Sequence, residues 1–135
     1  MADWDGAGFE EVMPLAKTLG IRFEATSADL VKARLVWAEG LCTVGGAMHG
    51  GALMALADSA GAACAVLNLP EGAGGTTTIE SKTNFFRPVT QGYVEATSTP
   101  LHVGRTVIVI DTDLRNDRGD LVARATQSQL VLQAR

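Results

Sequence analysis

One stretch limits the possible folds more than any other. Residues 52–67, ALMALADSAGAACAVL, are almost entirely apolar and rich in alanine and leucine, which favour helix. Two glycine-rich loops bracket the run, GLCTVGGAMHGG at 40–51 and EGAGG at 71–75. Its 16 residues suit a helix of about four turns and fall short of the roughly 18–20 that a membrane span requires. A helix apolar nearly all round has to be enclosed by protein.

The enclosure is written on either side. Residues 76–86, 92–101, 105–115 and 121–132 are rich in Thr, Val, Ile and Phe, and turn signals separate them at Arg87-Pro88, His102-Val103-Gly104 and Asn116–Gly119. The last of these turns reads as a hairpin. Upstream, IRFEATSA alternates apolar and charged residues as a half-buried strand does, LVKARLVW is a second strand, and Ala28-Asp29 turns between them. The segment before them, GFEEVMPLAKTL, predicts one short amphipathic helix ended by Gly20. Six antiparallel strands meeting one apolar helix form an α+β layer arrangement in which the sheet curls around the helix. One sheet does not easily close over every face, so a dimer that continues the sheet or pairs the helices is expected to complete the enclosure.

Composition narrows the classes. At 135 residues the chain is read as one domain, 1–135, without linker or repeat. A net charge of −4 and only 5% aromatic residues argue against nucleic acid as a partner. Cys42 and Cys64 make no disulfide framework, and the acidic opening MADWDGAGFEEV lacks a secretory h-region. A cytoplasmic protein that binds no membrane is therefore expected. His49 and His102 show no metal-ligand spacing, so neither metal nor cofactor is expected.

The helix carries one carboxylate, Asp58, and burial would make it costly unless partnered. At the start of the same helix stands Met48-His49-Gly50-Gly51, where two glycines leave backbone N–H groups unshielded. A helix N-terminus of this kind suits an oxyanion or a polarised carbonyl. Asp58 follows Gly50 by eight residues, roughly 12 Å along the axis. One carbonyl cannot reach both groups in one chain, so joint action on one carbon requires two subunits.

The run AMHGGALMALADSAG, followed by TTTIESKTNFFRPV and then LHVGRT, resembles the hotdog-fold acyl-CoA thioesterases of the phenylacetate-degradation (PaaI) type, over essentially the whole chain. The resemblance implies a curled antiparallel sheet around one long central helix, a homodimer pairing into a dimer of dimers, and metal-free hydrolysis of an acyl-CoA. It places His49-Gly50 at the family's HG step, where the glycine amide binds the thioester carbonyl. It makes Asp58 the carboxylate that activates water or attacks directly, and puts Thr78 near a hydroxyl that helps hold the water. Where relatives carry Asn or Gln six residues before the histidine, this chain has Thr43.

Gly51 joins Gly50 as bare backbone facing the carbonyl, and Arg87, His102 and Arg105 are candidates for the CoA phosphates, against the alternative of solvated turn charges. Lys82 is read as a partner for Glu80 or a neighbouring strand, and His49 as capping or orienting its loop through a ring N–H bond to backbone. Phe85 and Phe86 cannot both face the core of a regular strand. Asp58 and Ser59 are adjacent on the helix and point apart, which argues against a triad with His49. Two other functions stay open: a non-catalytic acyl-CoA-binding module, and a hotdog enoyl-CoA hydratase or dehydratase.

Overall fold

The computed structural model describes residues 8–135, so most of the acidic opening lies outside the described residues. Two short helices come first, α1 (Phe9–Val12) and α2 (Pro14–Leu19), then strands β1 (Arg22–Thr26) and β2 (Val31–Val36). The long helix α3 (Gly50–Val66) precedes β3 (Ala73–Phe85), β4 (Tyr93–Val103), β5 (Val107–Asn116) and β6 (Leu121–Gln133). The single N-terminal helix expected from sequence is broken at Met13, because a residue before proline is pushed out of the helical region. Gly20 ends α2 as expected, in the left-handed conformation at φ 87°. None of the described helices is long and apolar enough to cross a membrane.

The six strands form one antiparallel sheet in the order β1-β2-β4-β5-β6-β3. Strict alternation decides its inner face. Val31, Ala33 and Leu35 of β2, Val94 and Ala96 of β4, and Ile108, Ile110 and Leu114 of β5 are all buried. α3 lies on that face, and its small residues (Ala57, Ala60, Gly61, Ala63, Cys64, Ala65) permit close approach. At Gly61 an added Cβ would sit 2.6 Å from the Gln127 side chain of β6. The inner face also holds polar groups. Ser98 and Thr112 share a buried hydrogen bond of 2.7 Å, and Gln127 and Gln129 are both about 1% exposed.

The sheet does not close over the helix. Gly51, Met54 and Asp58 form an exposed stripe along α3, and β3, 13 residues long, pairs among the described residues with β6 on one side only. Ile79 on that open edge is 57% exposed. Asp58 was expected to be buried; within one chain it is exposed, because it belongs to the stripe that the sheet leaves uncovered.

Candidate active site

The N-terminus of α3 is assembled by its preceding loop. Residues 42–48 fold back on themselves through a Cys42–Met48 bridge and a hydrogen bond from Thr43 N–H to the Ala47 carbonyl. Gly45 and Gly46, at φ 87° and 82°, make the reversal, and Trp37 Nε1 donates to the Gly46 carbonyl at 3.0 Å. The Met48 amide is tied to the Val89 carbonyl and the His49 amide to the Leu41 carbonyl, each at 2.8 Å. These bonds fix where the helix begins.

His49 is the N-cap, in extended conformation at φ −61° and ψ 135°. Its Nδ1 accepts the Gly51 N–H at 2.7 Å. The bond runs opposite to the expected one: the ring accepts rather than donates, so in the neutral imidazole the proton sits on Nε2. It also corrects the reading of Gly51 as a bare amide, since His49 occupies that N–H. A Cβ at residue 51 would lie 2.9 Å from Nδ1, so glycine makes room for the capping ring. The amides of Ala52 and Leu53 reach the His49 carbonyl. Among the described residues, the Gly50 N–H alone in this first turn has no acceptor. The Phe85 ring packs over Gly50, 3.3 Å from where a Cβ would stand.

Two turns further on, Asp58 Oδ1 accepts a hydrogen bond of 3.3 Å from the Thr78 hydroxyl on β3. Of the three consecutive threonines, the structure therefore joins Thr78 to the helix carboxylate. Thr78 Oγ1 in turn accepts from Gln129 Nε2 at 2.7 Å. Sequence reading missed Gln129. Its signal was two glutamines, 127 and 129, at inward positions where alternation on β6 calls for apolar residues.

The other expected residues are placed as follows. Thr43 is exposed in the reversing loop, and its side chain has no hydrogen bond among the described residues. Arg87 follows β3 with its N–H on the Val122 carbonyl, whereas Arg105 stands beside Thr106, whose carbonyl holds Val131 N–H. Val122 and Val131 are nine residues apart on β6, about 30 Å, so one chain does not bring Arg87 and Arg105 together. His102 lies within β4, at a register shift beside Pro100, and not in the turn expected for it; the turn begins at Gly104. Lys82 makes no ion pair among the described residues. It pairs in register with Thr126 on the outer face.

A cavity of about 320 Å³ opens beside the helix start, lined by Leu15, Leu19, Gly40, Leu41, Cys42, Ala52 and Ala55 together with His49 and Gly51. Among the described residues no group of three or more His, Cys, Asp or Glu is gathered as metal ligands would be.

Known proteins share this fold. The sequence pattern of the thioesterase superfamily matches residues 45–123, which hold α3 and the strands from β3 to the start of β6. A Haemophilus influenzae protein named "Putative esterase" is 33% identical over 116 residues, 84% of this chain and 83% of its own. A solved thioesterase from Haemophilus influenzae superposes with a TM-score of 0.83 at 28% identity, covering 88% of this chain and 82% of that one. A Pseudomonas aeruginosa thioesterase carrying a glutamine-to-alanine substitution gives a TM-score of 0.90 at 27% identity, covering 98% and 96%. With more than half its length matched by the family pattern and its whole architecture matched by solved members, the chain belongs to the thioesterase superfamily and has the hotdog fold.

Proposed function

We propose that this thioester hydrolase cleaves acyl-CoA thioesters to the free acid and CoA at a site shared between two copies of the chain, of the phenylacetate-degradation type. The Gly50 N–H of one copy polarises the thioester carbonyl, and Asp58 of the other activates water or attacks as a nucleophile. The observation that carries the reading is the division of the helix start. His49 occupies the Gly51 amide and leaves the Gly50 amide without an acceptor. Asp58 lies too far along the same axis to meet the same carbonyl, on a stripe that the sheet leaves open. The exposed stripe and the open edge of β3 support a second copy there. A further pairing into a dimer of dimers follows the family resemblance.

The chemistry needs little else. A thioester is already activated, so one donor on the developing oxyanion and one base suffice. A single such donor lowers the barrier by about 2.7–4 kcal/mol. The cavity lined by Leu15, Leu19 and Leu41 suits an apolar acyl or aryl group beside the helix start. Arg87 of one copy, and His102 and Arg105 of the other, are the bases offered to the CoA phosphates, with Thr43 as an additional carbonyl contact.

Incubation with a panel of acyl-CoAs, aryl and arylacetyl thioesters included, while following free thiol tests the reading. Asp58→Asn is expected to keep the fold and substrate binding and lose at least a hundredfold in kcat, on the order of a missing general base. Wild-type turnover in that variant would reject the assignment, and binding without thiol release would favour a non-catalytic module. Oxygen-18 from labelled water entering Asp58 during a single turnover would identify direct attack, since activated water delivers its label to the product acid alone.

A further inference from the structure

Beneath the candidate base lies a buried group that the mechanism above does not use. Gln129 is about 1% exposed, on β6 between β5 and β3. Its direct cross-strand partner is Thr78, and its Nε2 donates to Thr78 Oγ1 at 2.7 Å. With that oxygen accepting from Gln129, the hydroxyl proton is directed elsewhere, and Asp58 Oδ1 stands 3.3 Å away to receive it. The three groups make a one-way chain from a buried amide, through a hydroxyl, to the carboxylate. Each donation polarises the next.

We propose that Gln129 is a positioning residue for catalysis: by donating to Thr78 it orients that hydroxyl toward Asp58 and pins one carboxylate oxygen, leaving the other free for water or the acyl carbon. The inference rests on the reading of Asp58 as base or nucleophile. Without Gln129 the Thr78 hydroxyl rotates freely between acceptor and donor roles. The carboxylate then loses both a fixed orientation and a donor to its charged form. Charges nearby do not supply a substitute. α3 carries no other carboxylate or basic side chain. Glu80 and Lys82 of β3 pair in register with Ser128 and Thr126 of β6, on the face opposite Thr78 and Gln129, and Arg124 of β6 lies on that outer face too, bonded to Asp113.

The test is a cycle of Thr78→Val, Gln129→Met and the double variant, read in two ways on the full chain. With a hydrolysed acyl-CoA, each single change is expected to lower kcat about tenfold at nearly constant KM. The double variant should lose no more than either alone, because Gln129 acts only through Thr78. Thr78→Ser should restore turnover. Independently of any substrate, the Asp58 carboxyl carbon-13 resonance at pH 7 should move in Thr78→Val and Gln129→Met alike, since each removes the hydrogen bond that pins one carboxylate oxygen. Gln129→Leu serves as a second route should Gln129→Met fail to fold; it too removes the donor to Thr78 and should match Thr78→Val in both readouts. Additive losses in the double variant, or an unmoved Asp58 resonance in a folded Gln129 variant, would overturn the proposal. If instead Asp58→Asn hydrolyses as the wild type does, the catalytic reading of Asp58 fails, while the carboxyl resonance of the other variants still reports on the relay.

Discussion

Single side chains already separate expectation from outcome. Cys64 is fully buried as the sequence led one to expect, and burial together with the charge of Asp29 pushes its thiol from 9.0 up to about 11. The folded state therefore keeps a proton that the unfolded chain gives up. Between about pH 9 and 11 the native state binds more protons, so stability falls as pH rises through that window, by about 1.4 kcal/mol per unit. Cys64→Ala should remove that slope in urea titrations at several pH values. A disulfide reagent at pH 8 should modify Cys42 alone in the native protein and both thiols after unfolding. Gly61→Ala should destabilise by about 1–3 kcal/mol, despite better helix propensity, because the new methyl lands on buried Gln127. Urea unfolding checks this, and Gln127→Ala in the same chain should recover part of the loss. Gln127 itself has neither amide end bonded, a cost that the residue pattern alone marks as anomalous. What that pattern does not disclose is which partner a buried amide finds. Gln129 meets Thr78 and Gln127 meets a glycine because of strand register, which alternation by itself does not specify.

At the scale of elements, α3 and its entry loop were the most legible part. Glycines at 45 and 46 where the chain reverses, a capping residue at 49, then a run rich in alanine and leucine leave few alternatives. The division of labour between Gly50 and Gly51 was not legible, because it depends on which way the His49 ring turns. That division makes a sharp prediction. Proline is tolerated at the first helical position, and His49 already has the extended conformation that precedes a proline. Gly50→Pro should keep a wild-type circular dichroism spectrum, with Phe85 yielding a few tenths of an ångström. It should lose turnover by about a hundredfold or more, as removal of one oxyanion donor does. Mixing Gly50→Pro chains with Asp58→Asn chains and allowing exchange should recover activity, since one of the two sites in each mixed pair is then intact. No recovery after verified exchange would place both groups in a single-chain site. The strands themselves were readable from their alternation, but the neighbour of β3 was not. Each of the other strands pairs with one adjacent in the chain or one removed across α3, whereas β3 pairs with β6.

For the molecule as a whole, the exposed stripe through Gly51, Met54 and Asp58 is the largest departure from a self-contained fold. The sequence indicated a helix needing cover on all sides, and the sheet supplies cover on all but this one. A second copy there would also complete the proposed site. Met54→Arg, on the stripe but outside the proposed chemistry, should shift sedimentation toward the monomer. It should also lower turnover in proportion, although Gly50 and Asp58 are untouched. A variant that sediments as a monomer yet retains wild-type turnover at nanomolar concentration would reject the shared site.

The strand order has a kinetic consequence. β3 leaves the ribosome before β4, β5 and β6, yet among the described residues it pairs only with the last of these, 11 register pairs formed between segments about fifty residues apart. Until β6 is made, β3 has α3 to rest on but no strand to pair with, and the loop closure that follows is slow compared with hairpin formation. The Asp58–Thr78–Gln129 chain spans that final junction. The candidate base is therefore set in place only by the closing step of folding, and a late intermediate would hold a formed helix with an unset carboxylate.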